Sequence, residues 1–317
     1  MSTRALLYFR KSKSRGFVLV SVLMLGMLLI SCATAFTWFV RAQVRSFDRE
    51  RDNLTSRTMA YVLTQSIIKA LVFIGANVYH DSLTQKWYQP FLLSMTDDLG
   101  VWVLHITPLD DKIPIKSIFL PDGSTVRKEY ESVWEDMWTE LGHRELAQKT
   151  LDFMDKNTRP RVGGVEREYY INRVPYDLSE LLIMSDDIDS DILYGFKDGI
   201  REKFGLADYC TVFADDRVNI NVAPIQVLEL LPGLDTGDLA DKVIEIREKK
   251  GFNGLASLRE IPGAPAKIVN QLVNLVKFRS RYFQLRIERL DLEGEGGTSF
   301  RIIINRDAKQ IAKWEES

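Results

Sequence analysis

Apolar residues are unevenly spread along these 317 positions. They gather first in one unbroken run, Phe17 to Val40, that holds no charged side chain. At ~1.5 Å per residue a helix of that length extends roughly 36 Å, enough to cross a ~30 Å hydrocarbon layer with some tilt. Beyond Arg41 the pattern becomes mixed. Val40, Phe47, Leu54, Tyr61 and Ile68 recur every seven residues, with Val44, Thr58 and Leu71 on or near the same face, while Arg45, Arg49, Glu50, Arg51 and Asp52 fall elsewhere. No proline interrupts Phe17 to Tyr88. The spacing predicts one long helix to about Asn77, its apolar face packed on a globular body. A juxtamembrane helix tethering a catalytic domain fits the same pattern.

Period-two segments follow. Gly100 to Thr107 is β-rich and bounded by Pro108, which predicts a strand. Tyr282 to Leu290 and Ser299 to Asn305 alternate on either side of a turn at Glu293 to Gly297, which predicts a C-terminal hairpin. Asp208 to Asn221 echoes the strand and acidic turn around Gly100 to Ile115. Between the strands the pattern is helical: Tyr130 to Asp155, then Pro175 to Leu182 with Asp177 as N-cap and Glu180 three residues on. From Asn221 to Phe278 two apolar-Pro-Gly turns, Leu231-Pro232-Gly233 and Ile261-Pro262-Gly263, each lead into a helix. This arrangement resembles helix-hairpin-helix modules, which bind DNA backbone through free N–H groups. Asp235 puts a carboxylate beside the first turn and Pro265 removes a donor from the second. Acidic and basic residues are equal in number from Leu206 to Leu285, so no basic footprint exists.

Charge and cysteine content narrow the classes further. A net charge of −2 gives no preference for nucleic acid or anionic lipid. Cys32 lies inside the apolar run and Cys210 far downstream, which excludes a disulfide framework. His80, His105 and His143 lack metal-ligand spacing. No nucleophile elbow, phosphate-binding glycine loop or zinc-protease motif occurs, so no enzyme is expected. Acidic groups cluster at Asp152, Asp155 and Asn157, and again at Asp186, Asp187, Asp189 and Asp191. Oxygen-rich loops of this kind suit calcium, although no EF-hand spacing is present and a solvated loop is the plain alternative.

The start of the chain carries the sharpest motif. A leader with Arg4, Arg10, Lys11, Lys13 and Arg15 runs into Gly16-Phe17 and the apolar run. The basic leader predicts a cytoplasmic N-terminus and an exported remainder. A secretory signal peptide is the rival, but Ala33-Thr34-Ala35 is a poor cleavage site because Phe36, Trp38 and Phe39 continue the apolar run. The Gly-Phe junction resembles the processing site of type IV pilins and type II secretion pseudopilins. That resemblance implies cleavage after Gly16 by a prepilin peptidase and methylation of the new N-terminal Phe17. Most members carry Glu at the fifth mature position, where this chain has Ser21.

With Asn219-Ile220-Asn221-Val222-Ala223-Pro224 leading into Leu231-Pro232-Gly233, Leu151 to Asp155, Gly164 to Tyr170 and the terminal hairpin, the chain resembles the minor pseudopilin family of general secretion pathway protein K. Phe153 stands where that family's insert has Trp. The resemblance implies an α+β fold in which a long N-terminal helix packs on an antiparallel sheet, with a large inserted helical domain. It divides the chain into a cleaved leader (1–16), a transmembrane and assembly helix (17–40), a pilin-like helix and first strands (41–120), the insert (121–280, with 221–278 helix-hairpin-helix-like) and a C-terminal hairpin (281–317). It also implies an inner-membrane protein with a periplasmic body at the tip of the pseudopilus, promoting assembly and export. Its partners would be two other minor pseudopilins, the major pseudopilin and the inner-membrane assembly platform. Nucleic acid is not expected, a membrane-tethered nucleic-acid-binding protein being the alternative. No cofactor is implied beyond calcium in the insert.

Overall fold

A computed structural model describes residues 14–94, 100–197, 202–236, 238–290 and 296–316. The leader up to Lys13 and the turn residues Glu293 to Glu295 lie outside the described residues. The chain divides into two units, Met1–Met59 and Ala60–Ser317. Helix α1 (Ser14–Asn77) carries the whole apolar run and ends at Asn77, as its spacing predicts. It contains no proline, and its polar residues satisfy themselves locally. Thr34 and Thr37 donate to the carbonyls of Ser31 (2.9 Å) and Ala33 (2.7 Å).

In the second unit, β1 (Phe91–Ser94) and β2 (Val101–Pro108) follow the helix. The chain then leaves the sheet through β3 (Ile113–Pro114), α2 (Lys128–Glu140), α3 (Leu146–Met154) and α4 (Ser190–Tyr194). It continues through β4 (Phe196–Lys197), β5 (Glu202–Lys203), α5 (Leu206–Tyr209), β6 (Cys210–Thr211) and β7 (Val218–Asn219). Next come α6 (Ile225–Glu229), α7 (Leu239–Lys249), α8 (Ala266–Leu275) and β8 (Val276–Lys277). Three strands close the chain: β9 (Tyr282–Leu290), β10 (Gly296–Asn305) and β11 (Gln310–Glu316).

The sheet is fully antiparallel in the order β1-β2-β9-β10-β11. Alternation sets its two faces. Trp102, Leu104 and Ile106 of β2, Phe283, Leu285 and Ile287 of β9, and Phe300, Ile302 and Ile304 of β10 are buried. On α1 from Ala60 onward, Ala60, Leu63, Thr64, Ile67, Ile68 and Leu71 are buried. This stripe at three- and four-residue spacing includes Ile68 and Leu71 of the expected face, while Tyr61 on the seven-residue line is half exposed at its edge.

Leu109 to Arg281 runs outside the sheet and carries its own core, with Trp134, Trp138, Phe153 and Phe252 at most 1% exposed. Burying side chains of this size contributes about 1.5–3 kcal/mol each. The excursion departs next to where it returns: Pro108 pairs with Phe283, and the Leu109 N–H donates to the Tyr282 carbonyl (2.9 Å). It therefore replaces the turn of a β2–β9 hairpin, and it begins before residue 121 because Ile113 and Pro114 pair with Cys210 and Thr211 rather than with the sheet. The helical stretch expected at 130–155 is two helices. Gly142, at φ 77°, breaks it where only glycine adopts the conformation cheaply. Asp177 does cap a helix with Glu180, but the helix Leu178–Ile183 is 3-10 rather than α. The echo between 100–115 and 208–221 is not a repeated unit: β2 lies in the main sheet, whereas β6 and β7 are two-residue strands that pair in parallel with β3 and with β8.

Candidate functional site: the anchor helix and the root of the insert

The anchor is long and apolar enough to cross a membrane, and its apolar side chains are exposed from Phe17 to Val40. Gly16 lies in helical backbone, so the junction with Phe17 is the first turn of α1. Ser21 donates its hydroxyl to the Phe17 carbonyl (2.9 Å). The fifth position after Gly16 thus offers no negative charge, and its one donor is used within the helix.

In the second unit, the root of the excursion is held by buried polar groups. Asp81 follows α1, and its carboxylate receives both Arg306 nitrogens Nη1 and Nη2 (2.9 Å each) and the Ser280 N–H (2.6 Å). Side chains of both ions are about 3% exposed or less. A forked guanidinium–carboxylate pair fixes direction as well as distance, here joining the end of α1 to the end of β10. Asp110 accepts from the N–H groups of Arg281 (2.7 Å) and Tyr282 (2.8 Å) and from Lys277. Burial still pushes its carboxyl above the usual range, against the pull of Lys277. Lys277 also reaches Asp216 (2.8 Å), and Arg281 reaches Asp215 (2.7 Å) and Asp307 (2.9 Å).

The Asn219-Ile220-Asn221 stretch sits inside this root. Asn219 gives its N–H to the Asp110 carbonyl (2.6 Å) and its side-chain amide to Ser280 (2.8 Å). Asn221 pairs with Phe252 in both directions, accepting its N–H (2.7 Å) and donating to its carbonyl (2.8 Å). Arg247, buried, donates to the carbonyls of Ile220 (3.3 Å) and Ala223. Side-chain amides that mimic a backbone ladder hold strands too short to hold themselves. The sequence marked this stretch as distinctive without saying why; its partners include Asp110 and Ser280, far away along the chain in both directions.

Both acidic clusters are drawn onto protein cations. Arg161 reaches Asp155 (2.7 Å) and lies 3.4 Å from Asp152, and Asn157 donates to Asp155. Asp187 receives Lys149 (2.5 Å) and Asp186 receives Arg167 (2.8 Å). Asp189 caps α4 through the Ile192 N–H (2.8 Å), and Asp191 is exposed in its first turn. Arg161, Arg167 and Lys149 were not singled out from sequence, since nothing in their spacing assigns them a carboxylate. In the helix-hairpin-helix-like block, Gly233 and Gly263 do adopt left-handed φ. Asp238 and Asp241 open α7, however, and a carboxylate there opposes an anion at that helix start. Cys32 and Cys210 are both free, and burial pushes the Cys210 thiol up, which makes it unreactive.

Together these features define a protein with an apolar N-terminal helix fit for a single-pass anchor and an antiparallel sheet interrupted by a helical excursion. No family model matches the chain. It is 22% identical to the "Putative type II secretion system protein K" of Escherichia coli (strain K12), over 93% of this chain and 95% of that one. The fold matches a chain of the crystal structure of the GspK-GspI-GspJ complex from the enterotoxigenic Escherichia coli type 2 secretion system. The TM-score is 0.62 at 16% identity, over 87% of this chain and 99% of that one. Both comparisons support the resemblance to the protein K family read from the sequence.

Proposed function

We propose that this chain is a minor pseudopilin of type II secretion, anchored in the inner membrane with its sheet and insert on the periplasmic side. The observation that carries the reading is the excursion replacing a hairpin turn in a five-stranded sheet, in a chain whose fold matches one subunit of the GspK-GspI-GspJ assembly. By that likeness its partners are two smaller minor pseudopilins, and its place is the tip of the pseudopilus, where it promotes assembly and export.

Ser21 supports the tip position. In a pilus, a carboxylate at the fifth position neutralises the terminal ammonium of the adjoining subunit, and an unpaired buried ammonium costs several kcal/mol. A subunit with no neighbour above it has no such ammonium to neutralise, so a neutral residue is tolerated. The excursion, at more than half the second unit, also leaves little room for a regular array of identical copies. Co-expression with the two smaller pseudopilins is expected to yield a complex of fixed stoichiometry, with labelling at one end of the fibre. Homopolymeric filaments, or labelling along the whole fibre, would overturn the tip assignment.

A further inference from the structure

The resemblance implies calcium in the insert, and calcium requires six to eight oxygens converging on one point. Among the described residues no group of three or more His, Cys, Asp or Glu side chains could hold a metal ion. Asp152 and Asp155 are fully buried, and their oxygens face N–H donors. Asp152 accepts the Arg161 N–H on both oxygens (3.2 and 3.1 Å). Asp155 accepts the Asn157 N–H (3.1 Å) on one oxygen, and the Asn157 amide (2.9 Å) and Arg161 Nη2 (2.7 Å) on the other. The remaining Asn157 oxygen is turned away to the Arg159 N–H (2.7 Å). Arg161 also donates to the Ser124 carbonyl, and its guanidinium lies over the Phe119 ring. The main chain closes directly over Asp152, since a Cβ at Gly164 would collide with its carboxylate. These residues do not fit a divalent ion.

We infer that Arg161 is the resident cation of this loop: its guanidinium bridges Asp152 and Asp155, and the insert holds its shape without a divalent metal. A planar guanidinium supplies several directed donors at once, and it brings its charge covalently. The remaining negative charge in the neighbourhood comes from Glu166, which has one enclosed oxygen without a partner. Burial raises the Glu166 carboxyl, Asp152 and Asp155 raise it further, and Arg161 pulls it down. The assignment concerns the insert alone and holds whether or not the chain sits at a pseudopilus tip.

The test is thermal unfolding of the full-length protein in detergent, stripped with EGTA, with terbium luminescence as the probe of a calcium-type site. The expected result is one melting temperature in excess EGTA and in millimolar calcium, with no saturable terbium signal. Arg161→Gln leaves two buried carboxylates unpaired and is expected to lower the melting temperature by roughly 5 °C or more. Arg161→Lys keeps the charge and should recover part of that loss; it also serves if the Gln variant does not fold. A calcium-dependent rise of the wild-type melting temperature with saturable terbium binding would overturn the inference. So would an Arg161→Gln protein that melts like the wild type.

Discussion

Asp81 and Arg306 face each other from 225 positions apart in the chain, with almost no solvent between them. Removing either partner strands a buried charge, so Arg306→Ala or Asp81→Ala is expected to cost about 3–5 kcal/mol in denaturant unfolding. Replacing both by apolar residues of similar volume should cost markedly less, because the price is mostly the desolvation of an unpaired ion. Asp111, next to Asp110 at the root, is the opposite case. One of its carboxylate oxygens is enclosed without a partner, and burial raises its carboxyl to about 6, with Lys112 pulling down and Asp110 pushing up. A raised carboxyl binds its proton more tightly in the folded state. Stability is therefore expected to fall as pH rises from about 4 to about 6 and to stay lower above that. Asp111→Asn should remove this slope and stabilise the protein at neutral pH, by on the order of 2 kcal/mol. Chemical denaturation at pH 4.5 and 7.5 checks it; parallel wild-type and variant curves would contradict it. Partners close in sequence were legible at this scale, as with the Asp177–Glu180 capping box. Arg306 with Asp81, and Lys277 with Asp110, were not, since a charge does not announce a partner across the fold.

At the scale of elements, α1 was legible in length and only partly in facing. The expected seven-residue line, with Leu71 near it, lies along one edge of the buried stripe: Ile68 and Leu71 are buried, and Tyr61 is half exposed. The stripe Ala60, Leu63, Ile67, Leu71 is what the structure buries. Leu71→Ala is therefore expected to cost about 2–5 kcal/mol, whereas Tyr61→Ala should stay within about 0.5 kcal/mol. Equal losses would return the buried face to the seven-residue line. Among strands, β2, β9 and β10 alternate cleanly and were readable. The edges β1 and β11 were missed: β1 has four residues, and β11 carries Lys313, Glu315 and Glu316, charges that blunt an edge and also mask its pattern. Lys313 gives its ammonium to Asp177 (2.5 Å), so this edge strand is tied to the excursion.

For the whole molecule, the sequence carried the order of parts better than their joints. A helical block between strands was visible because its period differs from theirs. The point of departure at Leu109 was not, because Ile113 to Ile118 reads as extended and apolar whether it joins the sheet or, as observed, the insert core. The root is held by Asn219 in β7 and Asn221 in the turn after it, whose partners Ser280 and Phe252 lie in loops distant along the chain. Asn221→Ala is expected to cost about 1–3 kcal/mol through the unsatisfied Phe252 groups, with the sheet left intact. Wild-type stability in that variant would mean the clamp is dispensable. The central claim, a pilin-type subunit retained by its apolar helix, is tested most directly by mass spectrometry of the mature N-terminus from membranes that contain a prepilin peptidase. The account predicts N-methylated Phe17 as the first residue; an intact Met1, or a cut near Ala35, would contradict it.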